Sequence, residues 1–220
     1  MENKLVNRAL VLSIITIVYN IGEGLISVYF GMQDETLALF GFGADSFVEV
    51  FSGIGILHMV IRMKYTKVTD RDSFEKTALR ITGIAFYLLT FGLIAGSVIN
   101  IISQVEPETT MVGVIVSAIS ILTMYFLMKS KLAVGKALKS DAIIADANCT
   151  RTCFYLSFLL LGSSLLYELT GIGYIDIVAT LGIAYFAFKE GREAFDKVRT
   201  GSLACSCDTH CNTPTQNQES

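Results

Sequence analysis

The amino-acid sequence predicts an all-α, polytopic membrane protein with six transmembrane helices and both termini cytoplasmic, and three observations carry that expectation. Of 220 residues, 52% are hydrophobic and only 17% are charged, so most of the apolar side chains need a solvent other than water, which a bilayer supplies. The apolar residues are gathered into six runs of spanning length. Lys and Arg fall on alternate connections between those runs, the asymmetry that marks the cytoplasmic face of a membrane protein.

The first run, 9–31 (ALVLSIITIVYNIGEGLISVYFG), is too long for a signal-peptide core and has no small-residue cleavage site, so it reads as a retained helix. The second, 36–62, holds most of the stretch ALFGFGADSFVEVFSGIGILHMVIRMK. The others are 79–103, 111–128, 141–168 and 172–190, joined by short connections. Residues 1–200 thus read as one six-helix membrane domain and 201–220 as a flexible cytoplasmic tail. Lys4 and Arg8 precede the first run, and Arg62, Lys64, Lys67, Arg71, Lys76 and Arg80 surround the second connection. Lys129, Lys131, Lys136 and Lys139 fill the fourth connection, and Lys189, Arg192, Lys197 and Arg199 follow the sixth run. The connections around Gln33, Glu106 and Gly171 carry no basic residue, and Arg151 alone lies outside the pattern. Gly22, Gly24, Gly41, Gly43, Ser52, Gly53 and Gly55 supply the small side chains that let membrane helices approach closely.

Charge and cysteine usage narrow the function. The net charge of -3 comes without any basic stripe interleaved with aromatics, which argues against a nucleic-acid partner. The five cysteines form no disulfide framework: Cys149 and Cys153 sit in an apolar run, and Cys205, Cys207 and Cys211 in a polar tail.

Chemistry therefore has to be sought among polar residues inside the apolar runs, where they are expensive to keep and mark ion paths or polar partners. Asp45 and Glu49 are four apart, so a helix puts both carboxylates on one face, one turn apart, within reach of a single cation. In the first run Asn20 and Glu23 share a face, with Glu23 readable as a supporting carboxylate, a proton carrier or a structural hydrogen-bond partner. The fifth run opens on SDAIIADANCTRTCFYLSF, which places Asp141, Asp146, Asn148, Cys149, Arg151 and Cys153 in its cytoplasmic half. Asp146, Cys149 and Cys153 are three and four apart; a carboxylate and two thiols suit zinc and softer ions, whereas buried cysteines also serve simply as packing. Arg151 is expected to pair with Asp146, Asp141 or Glu23, or to snorkel. Asp176 reads as a helix-start or water-facing carboxylate. In the tail, Cys205, Cys207, His210 and Cys211 lie within seven residues and read either as a soft-metal collector or as incidental.

The segments YNIGEGLISVYFG, LALFGFGADSFVEVFSG, SDAIIAD and GYIDIVATLGIAYFAFKEGREAF resemble the membrane domain of the cation diffusion facilitator family of divalent metal transporters, over roughly residues 8–196. The resemblance implies a six-helix protomer working as a homodimer, an ion site shared by the second and fifth helices, and export from the cytoplasm driven by inward protons. The strongest match is the acid pair Asp45 and Glu49. The family's His or Asp followed four later by Asp would fall on Ile144 and Asn148 if SDA marks the register, so Asp146, Cys149 or Cys153 are the expected replacements. Where the family carries a soluble domain after the sixth helix, this chain has the cysteine tail, and dimerisation is then expected from the membrane helices.

The resulting expectation is a non-enzymatic secondary transporter, set in the bacterial inner membrane. It would export zinc first, with cadmium, cobalt or another soft ion as alternatives, by proton antiport and without an organic cofactor. A membrane metal sensor or binding protein that does not transport is the alternative. A thiol oxidoreductase using Cys149 and Cys153 would need a cofactor or exposed partner cysteines on the external side, and the external connections contain no cysteine.

Overall fold

The computed structural model describes residues 2–34, 36–65, 73–103, 107 and 110–200, with backbone alone at 2, 3, 141, 142 and 145. Among the described residues there are six helices and no strand: α1 (Glu2–Gln33), α2 (Leu37–Tyr65), α3 (Ser73–Ser103), α4 (Met111–Leu138), α5 (Asp141–Thr170) and α6 (Tyr174–Thr200). The tail residues Cys205, Cys207, His210 and Cys211 lie outside the described residues.

The helices match the apolar runs at one end of the bundle and, α5 apart, outrun them at the other. At the ends without basic residues, α1 stops at Gln33, α3 at Ser103 and α5 at Thr170, within two residues of the expected 31, 103 and 168. At the basic end α1 begins at Glu2, α3 at Ser73, α4 continues to Leu138 and α6 to Thr200. Hydropathy reports only the part of a helix that lipid touches, so the polar turns beyond it read as connection. Those turns keep helical order because one face stays buried, as with Leu127, Lys131 and Val134 on α4 and Glu193, Ala194 and Lys197 on α6. Basic side chains close the last turns of α2 (Arg62, Lys64) and α6 (Lys197, Arg199), where they meet the negative ends of the helix dipoles.

Five helices, α1 to α5, are long and apolar enough to cross a bilayer. α6 is the exception, because its apolar part ends at Phe188 and charged residues fill the rest. Large apolar side chains point outward at mid-helix, among them Phe91 at 74% and Leu122 at 63% exposure. Such a surface is stable only in lipid, and with every span helical the backbone polar groups are satisfied internally. The chain is an all-α polytopic membrane protein.

α2 packs against α1, α3, α5 and α6. Its closest approach is to α1, across glycines. A methyl group placed on Gly43 would meet the Ser27 Cβ and the Val28 backbone nitrogen at 2.7 Å, whereas one on Gly22 would meet nothing within 4 Å. Gly43→Ala should therefore lower stability by about 1–3 kcal/mol, as overpacking does, and Gly22→Ala should leave it unchanged, measured as thermal denaturation in detergent. Two apolar clusters bracket the middle of the bundle. Ala38, Leu39, Phe42, Leu93, Leu156, Leu160 and Ile183 pack toward the end without basic residues, and Ile56, Met59, Val60, Val134 and Ile143 toward the basic end. Between them lies a layer of buried polar side chains.

The non-basic end is tied by carboxylates that cap neighbouring helices. Asp176 of α6 accepts hydrogen bonds from the Leu37 and Ala38 amides at 3.0 and 3.2 Å, so it caps α2 rather than its own helix. Glu168 of α5 accepts from the Thr110 amide at 2.7 Å and does the same for α4. Each satisfies first-turn amides that would otherwise be unpaired.

Candidate metal-binding site

The polar layer is built on α2. Asp45 is 4% exposed, and Glu49, one turn nearer the basic end, is half-buried. Their charges interact with each other and with those of Glu23 on α1 and Glu190 on α6. Four carboxylates gathered between two apolar clusters are unstable as bare anions, so the layer is a place that needs positive charge.

Hydrogen bonds orient each member. Asn20 Nδ2 donates to Glu49 Oε2 at 2.9 Å, and the Cys153 thiol donates to Glu49 Oε1 at 2.5 Å. The α5 thiol and the α2 carboxylate therefore meet directly. Glu23 accepts from Tyr19 Oη and from Ser46 Oγ, both at 3.0 Å, which holds it against α2 from behind. One turn beyond Cys153, Ser157 donates to Ser120 of α4 at 2.9 Å.

Of the remaining α5 residues, Cys149 lines the same cavity as Glu49, whereas Asp146 and Asn148 stand apart from Cys153. Asp146 is seven residues from Cys153, about 10 Å along the axis at 1.5 Å per residue, too far for one ion to touch both. Its carboxylate is bound by Lys131 of α4, whose Nζ donates to Asp146 Oδ1 and to Thr150 Oγ1, each at 3.0 Å. The pairing expected for Arg151 at Asp146 is thus supplied by Lys131. Cys149 is half-buried and lies 3.7 Å from Lys197 Nζ. Asn148, two residues from Asp146, is rotated about 200° from it on the helix, away from the buried stripe of Asp146, Thr150, Cys153 and Ser157. The side chain facing the α2 carboxylates is Cys153, not the Ile144 and Asn148 suggested by the SDA register. Asp141 opens α5 at the basic end.

A narrow cavity of about 50 Å³ reaches this layer from the basic half of the bundle, room for a few waters or one hydrated ion. Asn20, Glu49, Lys131, Asp146, Cys149, Glu190 and Lys197 line it. Glu190, Lys131 and Lys197 are not evident as site residues in the sequence because they sit at or beyond the ends of the apolar runs, where charges pass for solvated turns. The signal that finds them is helical spacing, since Glu193 and Lys197 fall on the same buried face as Ala194. Among the described residues, no three His, Cys, Asp or Glu side chains converge closely enough to hold a metal in this conformation.

A bundle of membrane helices enclosing buried carboxylates and a thiol defines a polytopic protein organised around an intramembrane polar site. Residues 10–199 match the cation efflux transmembrane domain, and the chain belongs to that family, the membrane domain of the cation diffusion facilitators. It is 30% identical over 182 residues to an uncharacterized transporter of Methanocaldococcus jannaschii, an alignment covering 80% of this chain and 63% of the relative. The chain thus spans somewhat less than two thirds of that protein's length.

Proposed function

We propose that the protein exports a divalent transition or heavy-metal cation, zinc foremost, from the cytoplasm by exchange for protons. It would act as a homodimer in the bacterial inner membrane with its basic end cytoplasmic. The observation that carries the reading is the direct contact between Glu49 of α2 and Cys153 of α5 beside buried Asp45. Two carboxylates and a thiol match the donor set of a borderline-soft divalent ion. In the conformation described, the Cys153 proton fills the place such an ion would take against Glu49. Loading then means losing that proton and parting the Cys153–Glu49 contact to admit the ion; because the ligands must be deprotonated, protons compete with metal at the same atoms. Acid on the far side favours release, and the returning protons discharge the layer.

Cys153 also sets a preference among ions. Cys153→Ser replaces a soft donor by a hard one, so cadmium transport should fall relative to manganese and cobalt, with zinc between them. Metal uptake into dye-loaded vesicles, compared ion by ion, reads this directly; an unchanged ranking would remove the thiol from the site. A second reading, a metal-binding protein that does not transport, uses the same Glu49–Cys153 contact, a departure from the helix-five pair that the family resemblance implies. It predicts bound metal and no flux in the same vesicles.

A further inference from the structure

We propose that Glu190 of α6 and Asn20 of α1 form, with Glu49, a loading station for divalent cations on the basic side of the Asp45 and Glu49 pair. The inference rests on the transport reading and extends its site to two helices outside the α2 and α5 pair. Glu190 and Glu49 line the same cavity, and the Glu190 charge interacts with those of both α2 carboxylates. Thr152 of α5 lies within hydrogen-bonding reach of the Glu190 carboxylate. The independent sign of a missing ligand is Asn20. It lines this cavity and is 1% exposed; its Nδ2 is committed to Glu49, yet its Oδ1 is buried without a hydrogen-bond partner. An amide oxygen left bare in a bundle interior is costly, and a cation between it and two carboxylates satisfies it.

The surrounding charges explain why the station would hold its ion loosely. Lys197 Nζ lies 3.6 Å from Glu193 and 3.7 Å from Cys149, and Lys131 neutralises Asp146, so two ammonium groups share the cavity with the carboxylates. They offset part of the negative charge that draws the ion in. An ion held by Glu190 and Asn20 can therefore move on by exchanging those donors for Asp45 and Cys153 while Glu49 stays attached.

Manganese is the probe, because its preference for oxygen donors separates this station from the thiols of Cys153 and the tail. Binding to the full-length protein in detergent is followed by loss of the free-ion paramagnetic resonance signal. Glu190→Gln should weaken binding at least about tenfold, in the range lost when groups around a metal are altered, while Glu190→Asp should stay close to wild type. Asn20→Ala should weaken it as well, and Cys153→Ser should not. Unchanged manganese affinity in Glu190→Gln overturns the proposal, as does equal loss in Glu190→Asp and Glu190→Gln. Metal flux measured separately in vesicles tells the two readings apart: wild-type protein that binds manganese through Glu190 but moves no metal overturns transport alone.

Discussion

Asp45→Asn abolishes metal transport and leaves the protein as stable as the wild type, or more so. The amide keeps the size and hydrogen-bonding outline of the carboxylate but removes one negative charge from a buried layer that also holds Glu23, Glu49 and Glu190. Relief of like-charge repulsion favours the folded state, while the cation loses a charged ligand. The loss should exceed about 100-fold in metal affinity, since even groups that merely support a ligand cost 10–100-fold when removed. Flux assays paired with thermal denaturation check both halves. Flux retained in Asp45→Asn would place the ion elsewhere, and flux lost together with folding would make Asp45 structural.

The second large effect concerns stability. Lys131→Met strands Asp146 inside the bundle, and removing one partner of a buried ion pair costs about 3–5 kcal/mol. Lys131 is 2% exposed and holds both Asp146 and Thr150. The double variant Lys131→Met with Asp146→Asn should recover most of the loss, because neutral partners of similar volume leave no uncompensated charge. It should also transport. That outcome would separate Asp146, a strut between α4 and α5, from the ligands, whereas a stable double variant without flux would return Asp146 to the ion path.

The two α2 carboxylates are legible in the sequence because an acid inside an apolar run is too costly to keep unless an ion or a polar partner meets it there. Cys153 is legible only as one of three candidates at helical spacing. Separating it from Asp146 and Cys149 takes the third dimension: about 10 Å of rise between Asp146 and Cys153, and a lysine from another helix that claims Asp146. Lys131 itself reads as part of a basic connection because α4 loses its hydropathy ten residues before it ends. Glu190 is hidden because it closes the sixth run beside Lys189, where a charge passes for a solvated helix end. Hydropathy locates the lipid boundary, and everything the helices do past that boundary depends on which face is buried. Asp176 shows the converse. Its position at the start of α6 is evident, yet its partner is the first turn of α2, more than a hundred residues away in sequence.

The most direct test of the central claim is zinc movement by the wild-type protein reconstituted into sealed vesicles, with a zinc-responsive dye and a pH-responsive dye inside and a pH gradient imposed across the membrane. Zinc should enter the vesicles as protons leave, at a rate that rises with the acidity of the lumen. Zinc that binds to the protein without reaching the luminal dye, at any gradient, would contradict the account.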